Sequence, residues 1–140
     1  MNIAILGYGV EGESVYKYYS AAHPGSTFTV YDNNPQPTKA LPEGVGFVGS
    51  VKDYKGITAD LAVKSPSIPP WQVETTGELT TVTREFLKRC PAPVIGVTGS
   101  KGKGTTCSLI KAMFDATGKK TWLVGNIGVA ALDVLDQIAP

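Results

Sequence analysis

The first 34 residues alternate between short apolar runs and a helical pattern. Residues 3–6 are continuously apolar, which is typical of a strand buried on both faces of a parallel sheet. A glycine-rich turn follows, and residues 14–22 then show a helical pattern that ends at a Pro-Gly pair. Residues 27–31 are rich in β-branched and aromatic residues, which favour a strand. The order predicts a β-α-β unit.

The rest of the chain continues this alternation of strands and helices. A weak strand pattern covers residues 45–48 and a stronger one covers residues 60–63. Residues 65–70 contain three prolines and must form a loop, and residues 81–89 favour a helix. Beyond a proline-rich linker, the pattern predicts strands at residues 94–97 and 122–124 and helices at residues 105–117 and 129–138. We therefore predict an α/β fold of two units, residues 1–90 and 91–140.

Composition excludes several functional classes. The net charge is only +1 over 140 residues and the charges are scattered, so neither a nucleic acid nor a membrane surface is expected as a partner. Two distant cysteines and a single histidine do not supply a zinc site. The N-terminal apolar run is too short for a secretory signal, and no run is long enough to span a bilayer. We expect a cytoplasmic protein.

The first glycine-rich turn has the pattern of a nucleotide-binding loop. Residues 7–12 read G-x-G-x-x-G between a strand and a helix, and Asp32 ends the next strand about twenty residues on. In such loops the glycines allow a tight turn and the backbone N–H groups of the helix N-terminus face phosphates. NAD(H) is one candidate ligand, with Asp32 holding a ribose hydroxyl. The alternative is a turn in which the glycines only pack the helix against the strand.

A second loop, with the sequence TGSKGKGTT at residues 98–106, lies between a predicted strand and a predicted helix. Lys103 would supply a positive charge to terminal phosphates, and Thr105 or Thr106 an oxygen for Mg²⁺. The loop differs from the general Walker pattern because Gly104 follows the lysine. The predicted ATP-binding residues are Gly99, Ser100, Lys101, Gly102, Lys103, Gly104, Thr105 and Thr106.

The order of these motifs resembles the Mur ligase family. Three further segments carry the resemblance: SPSIP at residues 65–69, GEL at residues 77–79 and GNIG at residues 125–128. The branch that adds D-glutamate to UDP-N-acetylmuramoyl-L-alanine is the most similar. The resemblance implies a Rossmann-like N-terminal domain with a parallel sheet, which binds the UDP end of the substrate. It also implies the start of a P-loop, ATP-binding α/β domain.

The resemblance also implies which residues bind the substrate. Asp32 matches the acidic residue that reads the uracil, and Asn126 lies near the substrate phosphates. Glu11 replaces the family's usual Ser or Thr, so only its backbone N–H is expected to contribute, and Ser67 replaces a loop glycine. Because Gly104 removes the usual hydroxyl, Mg²⁺ coordination is expected to move to Thr105. The implied UDP-substrate residues are Gly9, Val10, Glu11, Gly12, Asp32, Asn33, Ser65, Pro66, Ser67 and Asn126.

The implied reaction is ATP-driven amide ligation in peptidoglycan precursor synthesis. ATP phosphorylates the substrate carboxylate, and the amine of D-glutamate attacks the acyl phosphate. Lys103 and Mg²⁺ neutralise charge during this transfer. The parent ligase is expected to be a monomer with a further, amino-acid-binding domain, so this chain is expected to bind the UDP substrate without catalysing ligation.

Several alternatives stay open. The incomplete central sheet is expected to pack on the first domain, to pair with another chain or to be loosely ordered. Lys64, at the end of a predicted strand, is expected to be solvated, with a position facing the phosphates as the alternative. An NAD(H)-binding module and a non-catalytic, ligase-like binding domain are the other two functional interpretations.

Overall fold

The computed structural model describes residues 1–139 and has a five-stranded parallel sheet at its centre. The strands are β1 (Asn2–Leu6), β2 (Thr27–Tyr31), β3 (Gly46–Val48), β4 (Tyr54–Ile57), β5 (Leu61–Lys64), β6 (Val73–Thr75) and β7 (Glu78–Thr81). The helices are α1 (Val10–Ala22), α2 (Val82–Arg89) and α3 (Lys103–Ala116), with 3₁₀ segments at Pro70–Gln72 and Ala131–Gln137. Within residues 1–139, no helix is both long and apolar enough to cross a membrane.

The strand order, β3-β2-β1-β5-β7, places a topological switch point between β1 and β5. The chain moves outward from β1 to β3 on one side and then returns to the other side of β1. In the register of the sheet, Leu6 at the end of β1 is paired with Tyr31 on β2 and with Lys64 on β5. The carboxyl ends of strands at such a switch point form the crevice in which open α/β sheets bind ligands.

The main hydrophobic core lies on the face of the sheet covered by α1 and α2. Val15 and Tyr19 from α1 and Phe86 from α2 pack with alternate residues of the central strands. The second 3₁₀ segment packs against both helices, and its Leu132 and Leu135 are buried in the same core. The last described part of the chain is therefore joined to the core of the first 90 residues.

The opposite face of the sheet is covered by a small parallel sheet of β4 and β6. Tyr54 and Ile57 of β4 are buried there with Leu6 of β1, Ala62 of β5 and Ile68 of the loop that follows β5. Both faces of the central strands are thus buried, which accounts for their continuously apolar sequences.

The N-terminal part confirms the predicted α/β architecture with a parallel sheet. The predicted helices at residues 14–22 and 81–89 form as α1 and α2, with α1 beginning four residues earlier. The sequence did not predict β4, β6 or β7, which are only three or four residues long. Their polar residues and short length leave little periodic signal.

Residues 93–129 depart from the prediction. Residues 94–97 do not form a strand, and Val94 and Ile95 are exposed. Residues 122–124 contribute only an isolated bridge between Val124 and Val129. The physical cause is the lack of a pairing strand: a strand needs a neighbour for its N–H and C=O groups, and residues 1–139 offer none here.

The two predicted helices of this region differ in outcome. The predicted helix at residues 105–117 forms as α3 and ends before Gly118, as expected, but it buries no side chain. The expected α-helix at residues 129–138 is a 3₁₀ segment instead, from Ala131 to Gln137. The start of a P-loop domain at residues 91–140 therefore stays a prediction.

Candidate functional site

The first glycine-rich loop occupies the carboxyl end of β1, beside the switch point. Gly7 has a φ of 87°, a left-handed conformation that favours glycine, and its N–H donates to the Tyr31 carbonyl oxygen at 2.8 Å. Gly12 is buried, and a Cβ there would overlap the Gly7 carbonyl oxygen. These two glycines allow α1 to begin directly above the strand from which the loop leaves.

Free backbone donors mark the N-terminus of α1. The first hydrogen bond of the helix is donated by the Glu13 N–H to the Gly9 carbonyl oxygen at 3.1 Å. The N–H groups of Val10, Glu11 and Gly12 precede it and therefore have no partner within the helix. No side chain of residues 1–139 caps this end of α1. The arrangement suits a negatively charged group, since the helix dipole adds partial positive charge.

Asp32 joins the ends of β1 and β2. Its Oδ2 accepts a 2.8 Å hydrogen bond from the Tyr8 N–H, and its Oδ1 accepts bonds from the Asn34 N–H and side-chain amide at 2.9 and 2.8 Å. Burial alone would raise the pKa of this carboxyl. The hydrogen bonds from Asn34 and Tyr8 outweigh burial and hold the pKa below its usual value. Asp32 thus supports the loop, and its neighbour Asn33 is the exposed residue.

The loop that follows β5 lies against the glycine loop. The Ser65 N–H donates to the Leu6 carbonyl oxygen at 2.9 Å, and a Cβ on Gly7 would lie 3.2 Å from the Ser65 Cβ. The hydroxyl oxygens of Ser65 and Ser67 are 3.0 Å apart. Ser67 and Pro66 are exposed. The pair of hydroxyls therefore borders the crevice beside the free donors of α1.

Two charged residues near this crevice are more buried than the sequence suggests. Lys64 is buried, not solvated as expected, and its ammonium donates to the Ile68 carbonyl oxygen at 2.8 Å. Glu11 is partly buried, and burial raises the pKa of its carboxyl. No pattern in the sequence distinguishes a solvated lysine at a strand end from one enclosed by the following loop.

The lysine-rich loop lies before α3. The first hydrogen bond at this helix end runs from the Thr106 N–H to the Gly102 carbonyl oxygen at 2.9 Å, so the N–H groups of Lys103, Gly104 and Thr105 precede it. The Lys103 ammonium donates to the Gly99 carbonyl oxygen within the loop. These free donors and the lysine fit a polyphosphate, although the loop lacks the preceding strand.

The structure groups the predicted residues into two sets. Gly9, Asp32 and Ser65 belong to adjoining loops at the switch point. Asn126 belongs instead to the turn beside the lysine-rich loop, where a Cβ on Gly104 would lie 3.6 Å from Ile127 Cδ1. Among residues 1–139, no group of three His, Cys, Asp or Glu residues could hold a metal ion. The exposed Thr105 is the candidate Mg²⁺ ligand from the sequence analysis, and its role stays a prediction.

Comparisons with known proteins find curated relatives that share one name. No protein-family model matches the chain. Curated relatives named UDP-N-acetylmuramoylalanine–D-glutamate ligase match it in Vibrio vulnificus (33% identity over 96% of the chain), Aliivibrio fischeri strain MJ11 (36% over 99%) and Escherichia coli K12 (34% over 97%). The chain covers 33% of the length of each of these relatives.

Proposed function

Since the chain is related over nearly its whole length to the UDP-N-acetylmuramoylalanine–D-glutamate ligases of the Mur ligase family, we propose that it forms the sugar-nucleotide-binding part of such a ligase. The substrate would be UDP-N-acetylmuramoyl-L-alanine. The complete protein would act in the cytoplasm in peptidoglycan precursor synthesis. The relatives are about three times as long, so ligation and D-glutamate binding belong to the complete protein in this proposal.

One observation carries the proposal: the loops after β1 and β5 are in contact at the switch point of the sheet. The first loop offers the free N–H groups of residues 10–12, and the second offers the exposed Ser67 hydroxyl. Backbone donors at a helix N-terminus suit a diphosphate, and hydroxyls suit a sugar. Asn33, exposed beside Asp32, is available to the base.

The lysine-rich loop would bind ATP in the complete ligase. Its free N–H groups would hold the phosphates, and Lys103 would neutralise charge on the terminal phosphates. Mg²⁺ keeps several water ligands in such sites, so Thr105 and phosphate oxygens could complete its coordination. When bound, ATP supplies the phosphoryl group that activates the substrate carboxylate. Asn126 belongs to the turn next to this loop and not to the crevice at α1, so its proposed contact with the substrate phosphates rests on the family resemblance alone.

NAD(H) binding is the main competing function, because the G-x-G-x-x-G loop and Asp32 would serve it equally well. The hydrogen bonds that Asp32 accepts from Tyr8 and Asn34 do not discriminate between a ribose hydroxyl and a uracil, because Oδ2 accepts only one bond and can accept another. The distinction comes from the other two loops. The SPSIP loop and the lysine-rich loop have no role in a simple dehydrogenase domain.

A calorimetric titration of the chain with UDP-N-acetylmuramoyl-L-alanine, with NADH as the control ligand, tests the proposal. Binding of the UDP compound alone would support it, and binding of NADH alone would overturn it. Ser67→Ala should weaken binding of the UDP compound by about fivefold, the effect of losing one hydrogen bond of roughly 1 kcal/mol. Ser108→Ala removes an exposed hydroxyl from α3 and should change nothing.

A further inference from the structure

Lys64 is the one charged residue at the end of β5, and its environment is unusual for a lysine. The residue is only 9% exposed. Its ammonium donates to the carbonyl oxygens of Ile68 at 2.8 Å and Ser65 at 3.5 Å. Among the carboxylates of residues 1–139, none forms an ion pair with it. A buried cation of this kind has hydrogen-bond partners but no counter-charge.

Such an arrangement is costly unless something compensates the charge. Burying an ammonium without a carboxylate loses hydration that two carbonyl dipoles only partly replace. A side chain retained purely to fill space at this position would be apolar, like its neighbours in the small core below it. The charge of Lys64 therefore calls for an explanation beyond packing.

The position of Lys64 in the sheet explains why a charge is retained there. Lys64 is paired with Leu6, the residue before the glycine loop, so it lies at the carboxyl edge of the sheet beside the switch point. The same edge carries the free N–H groups at the start of α1. Under the proposed function, this crevice receives the diphosphate of a sugar nucleotide, which would bring the missing negative charge.

Besides Lys64, the loop is held by the Ile68 side chain, which is buried in the small core, and by a few hydrogen bonds. The Ser65 N–H is bonded to Leu6 and the Ile68 N–H to the Ser65 carbonyl oxygen at 3.1 Å, while Pro66 has no N–H to donate. The ammonium of Lys64 bonds to carbonyls at both ends of this turn, Ser65 and Ile68. It thereby fixes where the hydroxyls of Ser65 and Ser67 lie relative to the glycine loop.

From these contacts we infer that Lys64 is a positioning residue of the sugar-nucleotide site. Its ammonium clamps the Ser65–Ile68 turn against the glycine loop and places positive charge beside the bound diphosphate. This inference rests on the proposed function for the identity of the ligand. The clamping of the turn does not depend on any ligand.

A ligand-binding experiment tests the role in recognition. UDP-N-acetylmuramoyl-L-alanine is titrated calorimetrically into the wild-type chain and into Lys64→Met, Lys64→Arg and Lys55→Met. Lys64→Met should lose about tenfold or more in affinity, since a charged hydrogen-bond donor is removed. Lys64→Arg should recover most of this loss. Lys55→Met removes an exposed lysine of β4 that pairs with Asp53, and should bind like the wild type.

The outcomes separate this inference from the proposed function. If the wild-type chain does not bind the UDP compound, the proposed function fails for this chain. If the wild type binds and Lys64→Met binds equally well, the proposed function stands and the positioning role of Lys64 is overturned.

Amide hydrogen exchange without ligand tests the clamp directly and guards against a folding defect. In Lys64→Met, the Ile68 amide should exchange at least about tenfold faster, because its turn loses the ammonium contact. Amides in the centre of β1 should keep their protection. Unchanged exchange at Ile68 would overturn the inference, and faster exchange throughout β1 would show that Lys64 acts on the whole fold instead.

Discussion

The hydroxyl of Tyr19 on α1 donates a hydrogen bond of 2.7 Å to Oε2 of Glu85 on α2, 66 residues away in the sequence. Glu85 is buried and also accepts bonds from the Thr80 hydroxyl at 2.7 Å and from the charged side chains of Lys88 at 3.0 Å and Arg89 at 2.5 Å. One carboxylate thus connects both helices that cover the main core with β7, the last strand of the sheet.

This network predicts loss of stability in acid. Burial opposes ionisation of Glu85, but hydrogen bonds from Thr80, Tyr19 and its two cationic neighbours lower its pKa to about 2, from an ordinary value of 4.5. The folded state therefore holds the proton less tightly than the unfolded state. The resulting stabilisation is complete above about pH 4.5 and is lost as the pH falls toward 2.

Urea unfolding between pH 6 and pH 2.5 measures this effect. The wild-type chain should lose stability steeply below about pH 4.5. Glu85→Gln should be less stable at pH 6 and should show a shallower decline in acid, because the titrating group is gone. An equal decline in both proteins would place the acid sensitivity elsewhere, for example at Asp32, whose pKa is also lowered.

The contact between Tyr19 and Glu85 can be tested by itself. Tyr19→Phe removes only the hydroxyl and should cost about 1.5 to 3 kcal/mol of unfolding free energy, the usual range for a hydrogen bond to a charged group. The ring keeps its edge contact with Tyr18 and its place in the core. Tyr18→Phe is the matched control. Within residues 1–139 the Tyr18 hydroxyl has no hydrogen bond, so its removal should change stability by less than about 0.5 kcal/mol.

The second 3₁₀ segment gives a prediction about how the chain is organised. Leu135 is buried in the main core with residues of α1 and α2, although it lies beyond residue 90, where a second domain is predicted to begin. Leu135→Ala should therefore cost about 2 to 5 kcal/mol, as for other leucines in a core. Chemical denaturation followed by circular dichroism measures it.

Leu109→Ala is the control for that measurement. Leu109 lies on α3, is 56% exposed and should change the unfolding free energy by less than about 0.5 kcal/mol. Equal effects of the two substitutions would mean that the 3₁₀ segment does not share the core of the first 90 residues. A large effect of Leu135→Ala alone would establish that it does.

The sequence predicted the β-α-β unit well because its signals are local. The apolar run of β1, the glycines that follow and the β-rich residues of β2 each favour the structure that forms. The family resemblance implied that the SPSIP loop binds the substrate, but its contact with Gly7 was not predicted, since that contact depends on the order of strands in the sheet. The burial of Lys64 could not be predicted, because the Ile68 carbonyl oxygen that accepts its hydrogen bond comes close to it only in the folded loop.

The strand predicted at residues 94–97 does not form, because a strand depends on partners that are distant in the sequence. Val94, Ile95 and Val97 have strong β-propensity, which led to the predicted strand. Propensity alone does not make a strand, because its backbone groups need partners in a neighbouring strand. The helix α3 forms nevertheless, since its hydrogen bonds are all local, but its apolar Leu109 and Met113 stay exposed.

Two substitutions in the glycine loop should distinguish a glycine that the fold requires from a glycine that ligand binding requires. At Gly12 a Cβ would overlap the backbone of Gly7, so Gly12→Ala should destabilise the chain by about 2 kcal/mol or more. At Gly9 nothing lies within 4 Å of an added Cβ, but its φ of −89° is combined with a ψ of −153°, just beyond the extended region that alanine prefers. Gly9→Ala should therefore destabilise the chain by less than about 1 kcal/mol, and by less than Gly12→Ala does. It should nevertheless weaken binding of UDP-N-acetylmuramoyl-L-alanine by about tenfold, because the added methyl group occupies the space through which a diphosphate approaches the α1 N–H groups.

Thermal unfolding and calorimetry on the same samples measure the stability and the affinity of both variants. Undiminished binding by Gly9→Ala would move the diphosphate away from this helix N-terminus.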